Sequence, residues 1–212
     1  MLKAFDHIMS KNIQKAIISC AWFYDQVQPS NPLFQKVYEP PVQALTTNAL
    51  VQWLSLEFTS SIKKRGNILI VTTTGHAGLA ERGKYLPPTS DAEKYPDIVI
   101  PVGASDRQDR KMFDDVPGSD KISIKAWAPG EGIHVHGYDE AGDPSVVLVS
   151  GVAFAAASVV GMLAVYISED VPVLKAAQQL YDLAWARVPG GPNIIWNGIT
   201  ESEWPGPPRK QP

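Results

Sequence analysis

The sequence has one cysteine, Cys20, set in the apolar run from Ala16 to Trp22. A lone cysteine forms no internal disulfide, so the fold does not depend on oxidation, and a thiol in such a run reads as a buried small residue rather than a reactive group. Charge of one sign is also missing. Nineteen Lys and Arg against 22 Asp and Glu leave a net charge of −3, which supplies no electrostatic attraction for nucleic acid. Neither GxGxxG nor GxxxxGK[ST] occurs, so no nucleotide loop is predicted, and no cofactor is expected. The stretch Asp106 to Lys121 mixes both signs without the carboxylate spacing of an EF-hand, so a solvated charged loop is expected there and not a calcium site. Of the four histidines, His134 and His136 fall on one face if they lie on a strand. With no third ligand identifiable, an exposed strand edge is expected and no metal. The opening MLKAFDHIMSKN has no continuous apolar core, so it does not read as a signal peptide, and an intracellular chain is the default expectation.

What is present is a globular composition, 44% hydrophobic and 19% charged over 212 residues, organised around one uncharged run from Val146 to Ile167. A run of this length is near that of a membrane span. Ser150-Gly151 interrupts it, however, and its second half is rich in Ala. A two-part reading follows: a short buried strand, Val146 to Val149, a tight turn, and a buried helix from about Val152 to Ile167. Ala153, Ala157 and Gly161 recur at i, i+4 and i+8, which predicts a bare stripe that packs close against a sheet.

Upstream, Leu2, Phe5, Ile8 and Met9 have helical spacing and Lys15 to Trp22 reads as a short buried strand. Gln26 to Leu45 carries four prolines and is expected to be loop. Thr46 or Thr47 caps a predicted helix with Leu50, Leu54, Phe58 and Ile62 on one face, Lys63, Lys64 and Arg65 at its C-terminus and Gly66 ending it. Asn67 to Thr74 and Asp97 to Ala104 are predicted buried strands separated by a surface loop over Gly83 to Pro96, and Lys121 to Trp127 alternates as a further strand. After the central run, Asp170 and Pro172 begin a helix with Leu174, Ala177, Tyr181, Ala184 and Val188 on one side, stopped by Gly190-Gly191 and followed by a short strand in Asn193 to Asn197. Continuous apolar strands joined through helices predict an α/β fold of three layers, a mostly parallel sheet with helices on both faces. The expected organisation is one domain over residues 1–200 and a Pro-rich tail over 201–212.

Several blocks, in order, resemble the subtilase (subtilisin-like serine peptidase) family. Gly151 to Gly161 is similar to its Gly-Thr-Ser-x-Ala-Ala-Pro-x-Val-Ala-Gly block, with Ala153 where the family has its catalytic serine. Ala16 to Trp22 is similar to Val-Ile-Asn-Met-Ser-Trp-Gly, and Ala21, Trp22 and Phe23 stand where the family's cleft wall pairs with bound peptide. Phe23 replaces a glycine there, and an aromatic strand end packed in the core is the alternative reading. Ile68 to Gly78 resembles Val-Val-Ala-Ala-Ala-Gly-Asn-x-Gly, which places Thr74 and Gly75 in the same cleft and His76 where an Asn donates to the oxyanion. Tyr95 to Ala104 resembles Tyr-Pro-x-x-Ile-x-Val-Gly-Ala, and Ala128-Pro129-Gly130 with Ile133 resembles Ala-Pro-Gly-x-x-Ile. Together these correspond to the C-terminal portion of a subtilase catalytic domain, with the family's N-terminal strands and its aspartate and His-Gly-Thr blocks not found.

The resemblance implies proteolysis as the family's activity, yet a methyl group at Ala153 cannot attack a carbonyl. The expectation is a catalytically inactive domain, either a peptide-binding or regulatory pseudoenzyme or a fragment of a larger gene product. One alternative is an interaction module whose hydrophobic sheet edge, that of Ala16 to Trp22, takes a strand from a partner or a second copy. Another is half of a working serine endopeptidase, completed in trans by the missing N-terminal half.

Overall fold

The structure, a computed structural model, describes residues 7–21, 47–74, 88–112, 122–138 and 142–196. Outside the described residues lie the expectations for Leu2 and Phe5, Trp22 and Phe23, the loop Gln26 to Leu45, Gly75 to Gly78 with His76, and the tail; the side chains of Leu50 and Leu54 are also outside them.

The elements run β1 (Ala16–Cys20), α1 (Thr47–Arg65), β2 (Ile68–Thr73), a 3-10 helix (Thr89–Glu93), β3 (Val99–Ser105), β4 (Ala126–Pro129), β5 (Ile133–Tyr138), β6 (Pro144–Val149), α2 (Val152–Ser168), α3 (Val173–Leu183), β7 (Trp185–Ala186) and β8 (Asn193–Ile194). Six strands form one sheet in the order β1-β2-β3-β4-β8-β7, parallel except for the final β7–β8 pair. Every residue of β2 and β3 is buried, which is why both are apolar on successive residues and not in alternation, with Thr72, Thr73 and Ser105 the polar residues at their C-terminal ends. Their alternate side chains serve two cores. Leu69, Val71, Ile100, Val102 and Ala104 pack with α2 and α3 on one face, and Ile68, Ile70 and Val99 pack with Phe58 and Ile62 of α1 on the other. The three-layer α/β architecture expected from the sequence is the observed one. No helix among the described residues is long and apolar enough to cross a membrane.

Gly66 ends α1 in the left-handed region, φ +70°, with its N–H donating to the Ile62 carbonyl at 3.2 Å. The Lys15 ammonium donates to the Ile167 carbonyl at 3.3 Å and to Asp170 at 2.9 Å, fastening the start of β1 to the C-terminal end of α2.

Six sequence expectations are corrected. The strand expected over Val146 to Val149 is not buried: it belongs to β6, which pairs antiparallel with β5 in a separate two-stranded ribbon and leaves Val146 and Leu148 each 58% exposed. The stripe Ala153, Ala157 and Gly161 does not pack against the sheet. Val152, Ala155, Ala156, Val159, Leu163, Tyr166 and Ile167 do, while Ala157 and Gly161 are exposed and, beyond its chain neighbours and the backbone of its own helix, nothing lies within 4 Å of a Cβ built on Gly161. A helix apolar all round carries no pattern saying which side faces inward. The surface loop expected over Gly83 to Pro96 contains the 3-10 helix, with Thr89, Asp91 and Ala92 buried. β1 is half-buried rather than buried, because it is the terminal strand and only Cys20 is fully covered. The strand expected from Lys121 begins only at Ala126. Finally, α3 stops at Leu183 with Ala184 already extended, so Trp185-Ala186 pairs with Asn193-Ile194 instead of continuing the helix; Leu174 points outward and Val173, Ala176, Ala177 and Leu180 form the buried side.

Candidate functional site

The candidate site lies where the parallel strands β1, β2 and β4 end and α2 begins, the edge at which open α/β sheets bind ligands. Backbone hydrogen bonds assemble it. The Gly130 N–H donates to Ser105 O at 3.0 Å, and the Gly151 N–H donates to Gly130 O at 2.8 Å, so the turn entering α2 sits directly on the end of β4. A Cβ at Gly130 would lie 2.6 Å from the Ala104 Cβ and 3.1 Å from the Gly151 carbonyl, which explains the need for glycine in Ala128-Pro129-Gly130.

Ala153 is the second residue of α2 and is half-buried. Both serines near it in the chain are hydrogen-bonded. Ser150 Oγ accepts the Gly132 N–H at 3.0 Å, and Ser158, roughly 140° around the helix from Ala153, donates to Phe154 O at 3.2 Å. Of the other predicted site residues, Ala21 is exposed just past the end of β1, and Thr74 is half-buried just past β2, its N–H donating to Val102 O at 3.0 Å. The parallel register from Ala16↔Ile68 to Cys20↔Thr72 therefore carries Ala21 and Thr74 to the same end of the sheet. Trp22, Phe23, Gly75 and His76 lie outside the described residues.

Behind Thr74 is a polar cluster that sequence reasoning missed. Asp91, 1% exposed, accepts from Ser55 Oγ at 2.5 Å and Thr59 Oγ1 at 2.9 Å, both on its Oδ2. Thr89 Oγ1 donates to Thr73 O at 2.6 Å. Burial raises the Asp91 carboxyl above its ordinary value, against the two hydroxyl bonds and the Lys94 charge, which lower it. Burial, with the Asp91 charge second, pushes the Cys20 thiol up to about 12, so it is not a nucleophile at neutral pH. The overlooked signal was Ser55 and Thr59 at i, i+4, in line with Ile62 on the buried side of α1.

At the loop after β3, Asp106 accepts the N–H groups of Gln108 and Arg110 and the Arg110 guanidinium, which lower its carboxyl; the backbone bond from Arg110 is the largest cause. The expected solvated charged loop is thus an ordered turn at its start. An open groove of 520 Å³ between this loop and Val188 to Pro192 contains none of the site residues above. Among the described residues, no group of three or more His, Cys, Asp or Glu is placed to hold a metal.

No protein-family model and no curated protein sequence matches the chain. Comparison with solved structures does find matches. The subtilase cytotoxin SubAB assembly matches at 20% identity and TM-score 0.57, over 92% of this chain and 61% of its own. A cold-adapted subtilisin-like serine proteinase matches at 14% identity and TM-score 0.55, over 94% of this chain and 61% of its own. The prenylagaramide maturation protease PagA matches at 17% identity and TM-score 0.55, over 92% and 63%. The chain thus spans about three-fifths of the length of these neighbours. Across nearly all of its own length, it has a subtilisin-like fold.

Proposed function

We propose that this chain is a subtilisin-like domain without peptidase activity that binds extended polypeptide at the C-terminal ends of β1 and β2. The carrying observation is Ala153 at the start of α2, with both flanking serines committed to structural hydrogen bonds. Acyl transfer needs an attacking oxygen, a base for its proton and donors for the oxyanion. The 212 residues hold no His-Gly-Thr block and offer an alanine as nucleophile. Ala21 and Thr74 lie at the same end of the sheet, past the ends of two neighbouring parallel strands, where an extended peptide would add.

The test pairs two assays on the full chain. Incubation with unfolded casein and with a fluorophosphonate probe is expected to give neither cleavage nor labelling. Fluorescence anisotropy with labelled extended peptides is expected to show saturable binding, weakened by Ala21→Pro. Cleavage by the unsubstituted chain would overturn the inactive reading, and absence of peptide binding would overturn the binding reading.

A second reading has its own observation. Strand β1 is terminal, uncharged and half-buried, and among the described residues nothing pairs with its outer edge. An edge without Lys or Pro accepts a strand readily. In this reading a partner polypeptide adds there, and Ser19→Lys, at an exposed position of β1, abolishes the association in light scattering while peptide binding at the strand ends persists.

A further inference from the structure

The β5–β6 ribbon presents an unusual face. Its register sets His134 opposite Leu148, His136 opposite Val146 and Tyr138 opposite Pro144, and all six are exposed, Tyr138 by 75%. None of the six is charged like Lys, Arg, Asp or Glu. Two imidazoles therefore stand next to each other in an apolar patch of a strand pair.

Residues i and i+2 of a strand share a face about 6.6 Å apart along it. Two imidazole arms at that separation can turn toward a common ion between them, at Zn–N distances of about 2.0–2.1 Å. Imidazole nitrogen suits zinc, copper and nickel, and not the hard oxygen-seeking cations. Neither histidine has a hydrogen bond to a described residue that would hold its ring elsewhere. Two ligands fill only half of a tetrahedral shell, and among the described residues no third His, Cys, Asp or Glu joins them. A second copy brought face to face by a two-fold axis supplies the other two imidazoles, and in doing so covers Tyr138, Val146 and Leu148 on both copies.

We propose that His134 and His136 form half of a four-histidine site for a divalent transition metal, zinc above all, completed by the same pair of a second copy. This interface is separate from the outer edge of β1 and does not depend on the peptide-binding reading. The apolar face and the imidazole pair need each other: the face alone has no directional contact, and the pair alone leaves the ion half-coordinated.

The experiment uses the full chain without a histidine tag. Zinc chloride is titrated by calorimetry, and the mass is followed by size exclusion with light scattering, with and without a chelator. The expected result is one zinc per two chains, a dimer that forms with zinc and dissociates with the chelator, and loss of both in His134→Ala and in His136→Ala. His7→Ala, away from the ribbon, is expected to behave as the parent. Both ribbon positions are exposed, so the variants keep the fold, checked by circular dichroism. Absence of zinc binding, zinc binding that survives both substitutions, or saturation at one zinc per chain with the mass of a monomer would each overturn the proposal. A dimer indifferent to the chelator and removed by Ser19→Lys would also overturn it, because the association would then belong to β1.

Discussion

At the scale of single residues, chemistry in this chain depends on a few exchanges of small groups. Ala153, the second residue of α2, presents a methyl group, which has neither lone pair nor proton to give. Asp91 is the opposite case, a carboxylate taken out of water where two hydroxyls meet only one of its oxygens. Its folded value is raised, so the neutral form is favoured by folding. The sign follows: stability linked to this group is fully present below the ordinary carboxylate value and is lost as pH rises through the raised one. Urea unfolding across that range is expected to show the parent losing stability with rising pH relative to Asp91→Asn; parallel curves would contradict it. Ser55→Ala should cost about 1–3 kcal/mol by the same measurement, since it strips a bond from a buried carboxyl group. Gly103 makes a purely steric prediction. A Cβ there would sit 2.4 Å from the ring of Trp127, so Gly103→Ala is expected to destabilise by about 1–3 kcal/mol and to disturb the Trp127 near-ultraviolet signal.

At the scale of elements, α2 is the informative one. It is a 17-residue helix with no charged residue, and its composition does not reveal an inner side. Contact with β2, β3 and β4 selects the Ala155, Val159 and Leu163 side, and the small stripe is left outward. Two substitutions separate the arrangements. Gly161→Ala is expected to raise stability by about 0.5–1 kcal/mol, because the position is helical and open. Leu163→Ala, at a fully buried position, should lower it by about 2–5 kcal/mol. Were the stripe packed against the sheet, the glycine variant would destabilise, and thermal melts of the pair decide between the two. The ribbon β5–β6 shows the complementary limit. The apolar run Val146 to Val149 predicts a strand there but does not say whether a second layer covers it, and here one face of the ribbon is exposed.

At the scale of the whole molecule, β2 and β3 are shared by the cores on both faces of the sheet, so neither face can lose its packing while the other keeps its strands. A single cooperative thermal transition with a fixed near-ultraviolet spectrum is therefore expected of residues 1–212, and a molten profile with retained helix signal would show that the two cores do not lock together. The chain spans about three-fifths of the matched neighbours' own length, and among the described residues β1 is a terminal strand of the six-stranded sheet.

The sequence by itself determined the kind and order of the main elements. The runs Ile68 to Val71 and Ile98 to Ile100 are apolar on both faces of the pleat, Gly66 stops a helix that ends in three basic residues, and Gly151 opens another; each signal is local and acts within a few residues. Ala21, Thr74 and Ala153 lie at or just past element ends, Ala21 one residue beyond a strand that the sequence carried on to Trp22. Tertiary structure decided what is inside. Which side of α2 faces the sheet, that Asp91 of the 3-10 helix is buried against α1, that α3 yields to a strand pair at Trp185, and that His134 and His136 are exposed on the ribbon all depend on partners distant in the chain. Backbone conformation is a short-range preference, whereas burial is a property of whatever packs against a side chain, and that is known only when the layers have met.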